Sequence, residues 1–185
     1  IKMTFNWPYF DQEQIKKVSE VIASGKVNYW TGEEGKNFEK EFANWCGTKY
    51  AVAVSNGSVA LSLALHALDI KRGDEVIVPP RTFVATASAP ALIGAIPIFV
   101  DINRNSQAIT AETIKSSITP KTKAICVVHL GGFPAEMKEI INLAKSKNIA
   151  VIEDCAQAHG AKINNQNVGS FGDLACWSFC QDKII

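Results

Sequence analysis

Lys183 stands at the end of Gly169-Ser170-Phe171-Gly172-Asp173-Leu174-Ala175-Cys176-Trp177-Ser178-Phe179-Cys180-Gln181-Asp182, a glycine-hinged loop that runs into a short apolar strand. Lysine is ordinarily a solvated surface residue. One that sits in an apolar or cationic cofactor site instead has a lowered pKa and acts as a nucleophilic amine. Upstream, Asp154 follows Glu153 at the end of another apolar run, Ala150-Val151-Ile152. A carboxylate there can keep a pyridine nitrogen protonated, because a nearby anion favours the charged form. The alternative is a helix cap or loop carboxylate. Ser55-Asn56-Gly57-Ser58 lies between a predicted strand and a predicted helix. Gly57 permits close backbone approach, and the helix-start N–H groups with the Ser58 hydroxyl can bind a phosphate. Serine and asparagine are also ordinary N-caps. A lysine able to form a Schiff base, a carboxylate for a pyridinium nitrogen and a phosphate turn are what a pyridoxal phosphate (PLP) enzyme requires of its protein.

The elements that must position these groups alternate along the chain. Strands are predicted over Tyr50–Val54, Glu75–Val78, Ile96–Val100, Ala124–Val128, Ala150–Ile152 and Leu174–Phe179. Helices are predicted over Ser58–Leu68, Phe83–Ile93 (shortened or kinked by Pro90), Ala111–Ile118 and Ala135–Lys147. This order predicts an α/β fold, a three-layer sandwich with a mainly parallel central sheet. Continuous apolar runs such as Ala124-Ile125-Cys126-Val127-Val128 suit strands buried on both faces. Ligands of such sheets bind beyond the carboxyl ends of the strands, which selects the segments after Val54, Val78, Val128, Ile152 and Trp177. Ahead of the alternation, Ile15, Val18 and Ile22 keep helical spacing up to Gly25, and Phe38, Phe42 and Trp45 repeat it before Gly47. Residues 1–48 therefore read as an N-terminal helical segment and 49–185 as the cofactor-binding domain. The aromatic loop Val27–Gly32 between the two helices is either a packed connector or a substrate contact.

Composition narrows the function classes. Hydrophobic residues make up 47% and charged residues 20% of the chain, as in a globular protein, and the net charge of +1 gives no reason to invoke nucleic acid or a membrane surface. No apolar run reaches the roughly 18 residues of a membrane-spanning helix. There is no basic-then-apolar signal order at the N-terminus. The five cysteines form no CxxC pair and read as thiols in a reducing, cytoplasmic setting. The first predicted strand is not followed by G-x-G-x-x-G, which argues against a nicotinamide dehydrogenase. A chain that starts at Ile1 and stops two residues past Lys183 is expected to be a fragment of a longer protein, and to be inactive alone.

Other residues carry two readings each. Gln157 lies three residues past Asp154, within reach of the same ligand. His159 either assists it or satisfies backbone groups. Phe83 offers an aromatic face for a planar cofactor or fills the core, and Arg81 is an anion contact or a surface arginine. A metal site from Asp154, His159 and His129 is conceivable, but its spacing matches no standard ligand pattern, and no metal is expected.

Five stretches in order resemble the DegT/StrS-type sugar aminotransferases: Ser55–Leu61, Thr82–Ala87, Val128–Met137, Glu153–Ala161 and Gly169–Lys183. They span nearly the whole chain. The resemblance implies the large domain of the aspartate-aminotransferase fold, with the C-terminal small domain absent. It matches Lys183 to the Schiff-base lysine, Asp154 to the partner of the pyridine nitrogen and Gln157 to the neighbour of the ring's phenolic oxygen. It matches Phe83 to the stacking aromatic, and Gly57, Ser58 and Ser178 to phosphate contacts. It also implies a homodimer with the active site at the interface. The reaction would pass an amino group from an amino acid such as glutamate to the keto group of a nucleotide-diphosphate sugar, for surface polysaccharide or other amino-sugar synthesis. Three departures stand out: Cys180-Gln181-Asp182 precedes the lysine where many relatives carry a proline-containing tripeptide, Arg81 stands where relatives often carry an aromatic or small residue, and the family's C-terminal domain is absent, with the segment after the lysine that reaches the neighbouring subunit's phosphate site. Relatives with histidine at the lysine position act as dehydratases, and Lys183 argues against that branch. Another PLP enzyme of this fold, such as an amino-acid lyase, and a non-catalytic regulatory protein are the remaining alternatives.

Overall fold

A computed structural model describes residues 8–183. It divides into two compact units, one running to Ala53 and one from Val54, five residues beyond the 48/49 boundary read from the sequence.

The first unit holds two helices, α1 (Gln12–Ser24) and α2 (Glu34–Cys46). A reciprocal capping box between Asp11 and Gln14 starts α1, and Gly25 and Gly47 end the two helices in left-handed geometry. The Val27–Gly32 loop is an ordered turn. The Asn28 side chain accepts from the backbone N–H groups of Trp30 and Thr31 at 3.0 and 3.1 Å, an Asx-type closure.

The second unit is built on a five-stranded sheet of β1 (Glu75–Val78), β2 (Ile96–Phe99), β3 (Thr122–Val128), β4 (Ala150–Asp154) and β7 (Leu174–Cys176), in the order β2-β1-β3-β4-β7. Every pairing is parallel. Helices α4 (Ala85–Leu92), α5 (Ala111–Lys115) and α6 (Met137–Lys147) supply the crossovers from β1 to β2, β2 to β3 and β3 to β4, and α3 (Gly57–Ala67) precedes β1.

Strand alternation sorts the core into two layers. Val76, Val78, Ala124, Cys126 and Ile152 pack with Leu61, Leu65 and Ala89 of α3 and α4. Ile77, Ile125, Val127 and Val151 pack with Ile114, Met137 and Ile140 of α5 and α6. The result is the expected helix–sheet–helix sandwich. The same period gives consecutive residues of β4 opposite fates. Asp154 shares the parity of Ile152 and Glu153 that of Val151, so the two carboxylates leave the sheet on different sides.

Several element limits differ from the sequence reading. Tyr50–Val54 forms no strand. The segment alternates, but nothing among the described residues offers it a ladder, and Tyr50 and Val52 stay exposed. The strand expected to reach Phe179 stops at Cys176 because its partner β4 ends at Asp154, which pairs with Cys176. The helix expected over 83–93 is shorter, with Pro90 inside it. Residues outside any predicted element form an antiparallel hairpin of β5 (Lys162–Ile163) and β6 (Gln166–Asn167). Its turn residues Asn164 and Asn165 have φ of 48° and 67°, the double positive-φ geometry asparagine tolerates, but two-residue strands leave no periodicity to detect.

The central strand should be the least forgiving of truncation. Ile125 on β3 is fully buried, so Ile125→Ala should cost about 2–5 kcal/mol and Ile125→Val only about 1 kcal/mol. Denaturant midpoints at unchanged m-value would check both.

Candidate active site

The carboxyl ends of the strands open into a cleft of about 240 Å³. The seven residues that the resemblance matches to the cofactor all line it: Gly57 and Ser58 at the start of α3, Phe83 ahead of α4, Asp154 at the end of β4, Gln157 after it, and Ser178 and Lys183 beyond β7. Four separate segments are brought to one point because each follows a β-strand or opens a helix at the same edge of the sheet.

The α3 start is built as an anion site. Asn56 caps the helix by accepting from the Val59 N–H at 3.0 Å. The N–H groups of Gly57 and Ser58 have no intrahelical acceptor and keep the positive end of the helix dipole. Chain Trp177–Ser178 runs directly against this turn. A Cβ on residue 57 would lie 3.0 Å from both the Ser178 Cβ and the Trp177 carbonyl oxygen, so glycine is required for Ser178 to reach the helix end.

Asp154 is only 5% exposed. Its Oδ2 accepts from the Thr86 hydroxyl at 2.7 Å and its Oδ1 from the Ala156 N–H at 3.2 Å. The Thr82 hydroxyl extends the network to Thr86 at 2.8 Å. Burial pushes the Asp154 carboxyl up from its ordinary range, and the two donors offset that only in part. The site is therefore a desolvated carboxylate short of positive charge. Thr86 lies 68 residues from Asp154 and carried no sequence signal.

Gln157 is oriented by its partner. The Gly131 N–H donates to its Oε1 at 2.8 Å. Only the amide oxygen can accept there, so the NH₂ is the group left for other partners. The Phe83 ring is 61% exposed, which is an open aromatic face and not a core phenylalanine. Lys183 Nζ lies 5.9 Å from the centre of that ring and 3.2 Å from Asp182 Oδ2. Asp182 and Cys180 also line the cleft, so the unusual tripeptide before the lysine forms part of the wall.

The remaining candidates are placed elsewhere. Arg81 pairs with the Gln107 side chain and is not among the cleft residues. His159 does not assist Gln157 and does not satisfy backbone groups. Its ring packs 5.0 Å from Trp177 and 5.1 Å from Phe179, with neither nitrogen hydrogen-bonded among the described residues. Burial, then the charge of Lys183, pushes its pKa down. His129 does not meet Asp154 and His159 as ligands. Its Nε2 donates to Glu153 Oε2 at 3.0 Å and its Nδ1 accepts from the Ala135 N–H at 3.1 Å. His129, Glu153 and Cys155 approach closely enough to hold an ion, but both imidazole nitrogens are already engaged.

Comparison with known proteins agrees with this geometry. The model of the DegT/DnrJ/EryC1/StrS aminotransferase family matches residues 8–185. The UDP-N-acetyl-3-dehydro-alpha-D-glucosamine 3-aminotransferase of Acidithiobacillus ferrooxidans is 51% identical over 157 residues, an alignment covering 85% of this chain and 42% of that protein. The X-ray structure of the aminotransferase from Psychrobacter cryohalolentis superposes with a TM-score of 0.96 at 52% identity, over 98% of this chain and 46% of the other. NtdA of Bacillus subtilis, solved with bound cofactor PMP, superposes with a TM-score of 0.85 at 35% identity, over 91% and 38% of the two chains. The chain thus spans less than half the length of these relatives. Aminotransferases of this family depend on PLP, and the cleft fits that cofactor: a carboxylate in need of a cationic N–H, a glycine cradle at a helix start and an amine in one enclosure. With the family pattern running from residue 8 through the last residue and its fold reproduced around this cleft, the chain belongs to the DegT/DnrJ/EryC1/StrS aminotransferase family.

Proposed function

We propose that the whole protein is a PLP-dependent aminotransferase. It moves an amino group from an amino acid, glutamate in this reading, to the keto group of a sugar linked to a nucleoside diphosphate. The observation that carries the reading is the convergence of the Lys183 amine, the Asp154 carboxylate and the α3 start on one cleft. The acceptor class is supported by the relative from Acidithiobacillus ferrooxidans, whose name specifies a 3-dehydro sugar on UDP. The product would serve surface polysaccharide or other amino-sugar synthesis. The working form would be a homodimer with the active site at its interface, acting in the cytoplasm. No helix among the described residues is long and apolar enough to cross a membrane.

Each residue has a role in this scheme. Gly57, Ser58 and Ser178 hold the phosphate through N–H and hydroxyl donors. The Phe83 ring stacks on the pyridine face. Asp154 accepts from the ring nitrogen and keeps it protonated, which also relieves its own charge deficit. The Gln157 NH₂ donates to the phenolic oxygen. When bound, PLP would supply the carbonyl carbon that takes up and returns the amino group and the ring that delocalises the electron pair left on carbon when its proton departs. Lys183 Nζ would anchor the cofactor until the amino donor displaces it; the freed amine would then take the proton from the donor's α-carbon, and in the reverse half it would deliver one to the acceptor carbon of the sugar.

Two results are expected of the full-length protein. Borohydride reduction with PLP should leave a phosphopyridoxyl group on Lys183 by peptide mass mapping. Lys183→Ala should lose transamination by at least about 10³-fold, and an unmodified Lys183 in folded, PLP-saturated protein would remove the proposal. Thr86→Val should act through pH. Removing a donor from Asp154 raises its carboxyl further, so the acid-side loss of PLP affinity, which follows protonation of Asp154, should move to higher pH. Absorbance titrations of PLP binding across that range would measure the displacement.

A further inference from the structure

Glu153 is fully buried and takes no part in the scheme above, yet it is the most heavily hydrogen-bonded side chain near the cleft. Its Oε1 accepts from the N–H groups of Phe171 and Gly172 at 2.8 and 2.7 Å, and its Oε2 from the Gly169 N–H at 2.8 Å and from His129 Nε2 at 3.0 Å. Four donors match the roughly four lone-pair positions of a carboxylate. The tautomer of His129 follows from its other contact. Nδ1 accepts the Ala135 N–H and so carries no proton, which leaves the proton on Nε2, directed at Glu153. The pair is therefore a neutral imidazole against an anion, closed off from water. Burial alone would raise the Glu153 carboxyl, but the His129 hydrogen bond and the backbone donors outweigh it and hold it below its ordinary value.

The two loops that meet at this pair are those that present cofactor contacts. His129 Nδ1 ties together the two ends of the 129–135 loop, and the middle of that loop supplies the Gly131 N–H that orients Gln157. Glu153 gathers the 169–172 turn, which feeds β7 and then Ser178. That turn is tight. Gly169 has a φ of +84°, and a Cβ there would lie 2.5 Å from the Trp177 ring.

We propose that Glu153 and His129 are positioning residues for the cofactor: Glu153 sets the limb that ends in Ser178, and His129 sets the loop that orients the Gln157 amide. The inference rests on the reading of the cleft as a PLP site. Each half of the device should respond to a different substitution at one position. His129→Gln reaches Glu153 but loses the Nδ1-like acceptor for Ala135. His129→Asn keeps that acceptor and loses the donor to Glu153.

The test uses the full-length protein with PLP. Three properties are read: the affinity for PLP, the pH at which the visible band of bound PLP titrates, and amide hydrogen exchange across 169–172. His129→Gln should move the titration midpoint by roughly half a pH unit and leave exchange at 169–172 as in the wild type. His129→Asn should do the reverse, with faster exchange at 169–172, PLP affinity lowered about tenfold and an unmoved midpoint. Variants that only lower thermal stability, with midpoint, affinity and exchange unchanged, would overturn the inference while leaving the PLP reading intact. A wild-type protein that takes up no PLP would overturn both. Should neither variant fold, ¹⁵N spectra of the wild-type imidazole decide: a proton on His129 Nε2 alone supports the assignment, and a proton on Nδ1 contradicts it.

Discussion

The two-residue period of β4 is the constraint from which the rest of the cofactor-binding unit follows. Glu153 and Asp154 are adjacent in sequence, and in a helix or loop they would share surroundings. On a strand buried on both faces they cannot. One carboxylate is turned toward α4 and the other toward the loops that close the opposite layer. Two anions that would repel strongly in one pocket are placed apart by backbone geometry alone.

The contrast between these carboxylates is also energetic. An ion taken out of water is tolerated where hydrogen bonds replace its hydration. Glu153 has four such donors. Asp154 has a threonine hydroxyl and one backbone N–H. The opposite displacement of the two carboxyls from their ordinary values reflects this difference in donors, since burial raises both. A saturated carboxylate is a structural fastener. An under-satisfied one at the wall of a cleft stores a demand that a cationic ligand group meets, as expected where function is purchased with local stability.

Sequence patterning reveals much of this because parallel sheets write their burial plainly. Runs such as Ala124–Val128 and Ala150–Ile152 are continuous, and the ligand edge follows from strand direction. The positions of Lys183, Asp154 and the Ser55–Ser58 turn were legible on those grounds, and Ser178 only through the family pattern. What stayed hidden depends on partners distant in sequence. Thr86 gains its role from a residue 68 positions away, and the role of Glu153 is set by a turn 16 to 19 residues downstream. Tyr50–Val54 shows the converse. Alternation states that a segment is able to pair, while a strand exists only where a neighbour supplies the ladder. His159 illustrates a third limit: its residue type suggested polar chemistry, but Trp177 and Phe179 make its surroundings aromatic.

The chemistry of the cleft follows from the order of its charges more than from any single residue. A positive helix end with Ser178 stands at one limit, a carboxylate at the end of β4, and an amide NH₂ three residues further along. This pattern complements a ligand that is anionic at a phosphate, cationic at a ring nitrogen and anionic again at a ring oxygen. A neutral aromatic ring would leave Asp154 desolvated without compensation, and a simple phosphate would leave the exposed face of Phe83 without a partner. The hydrogen bond from Gly131 matters for the same reason. By occupying the oxygen of Gln157 it ensures that this residue meets the ligand as a donor, so the polarity of the third contact is set by backbone before any ligand arrives. Preorganised polarity of this kind spares the reorganisation that a freely rotating amide would require at the moment of reaction.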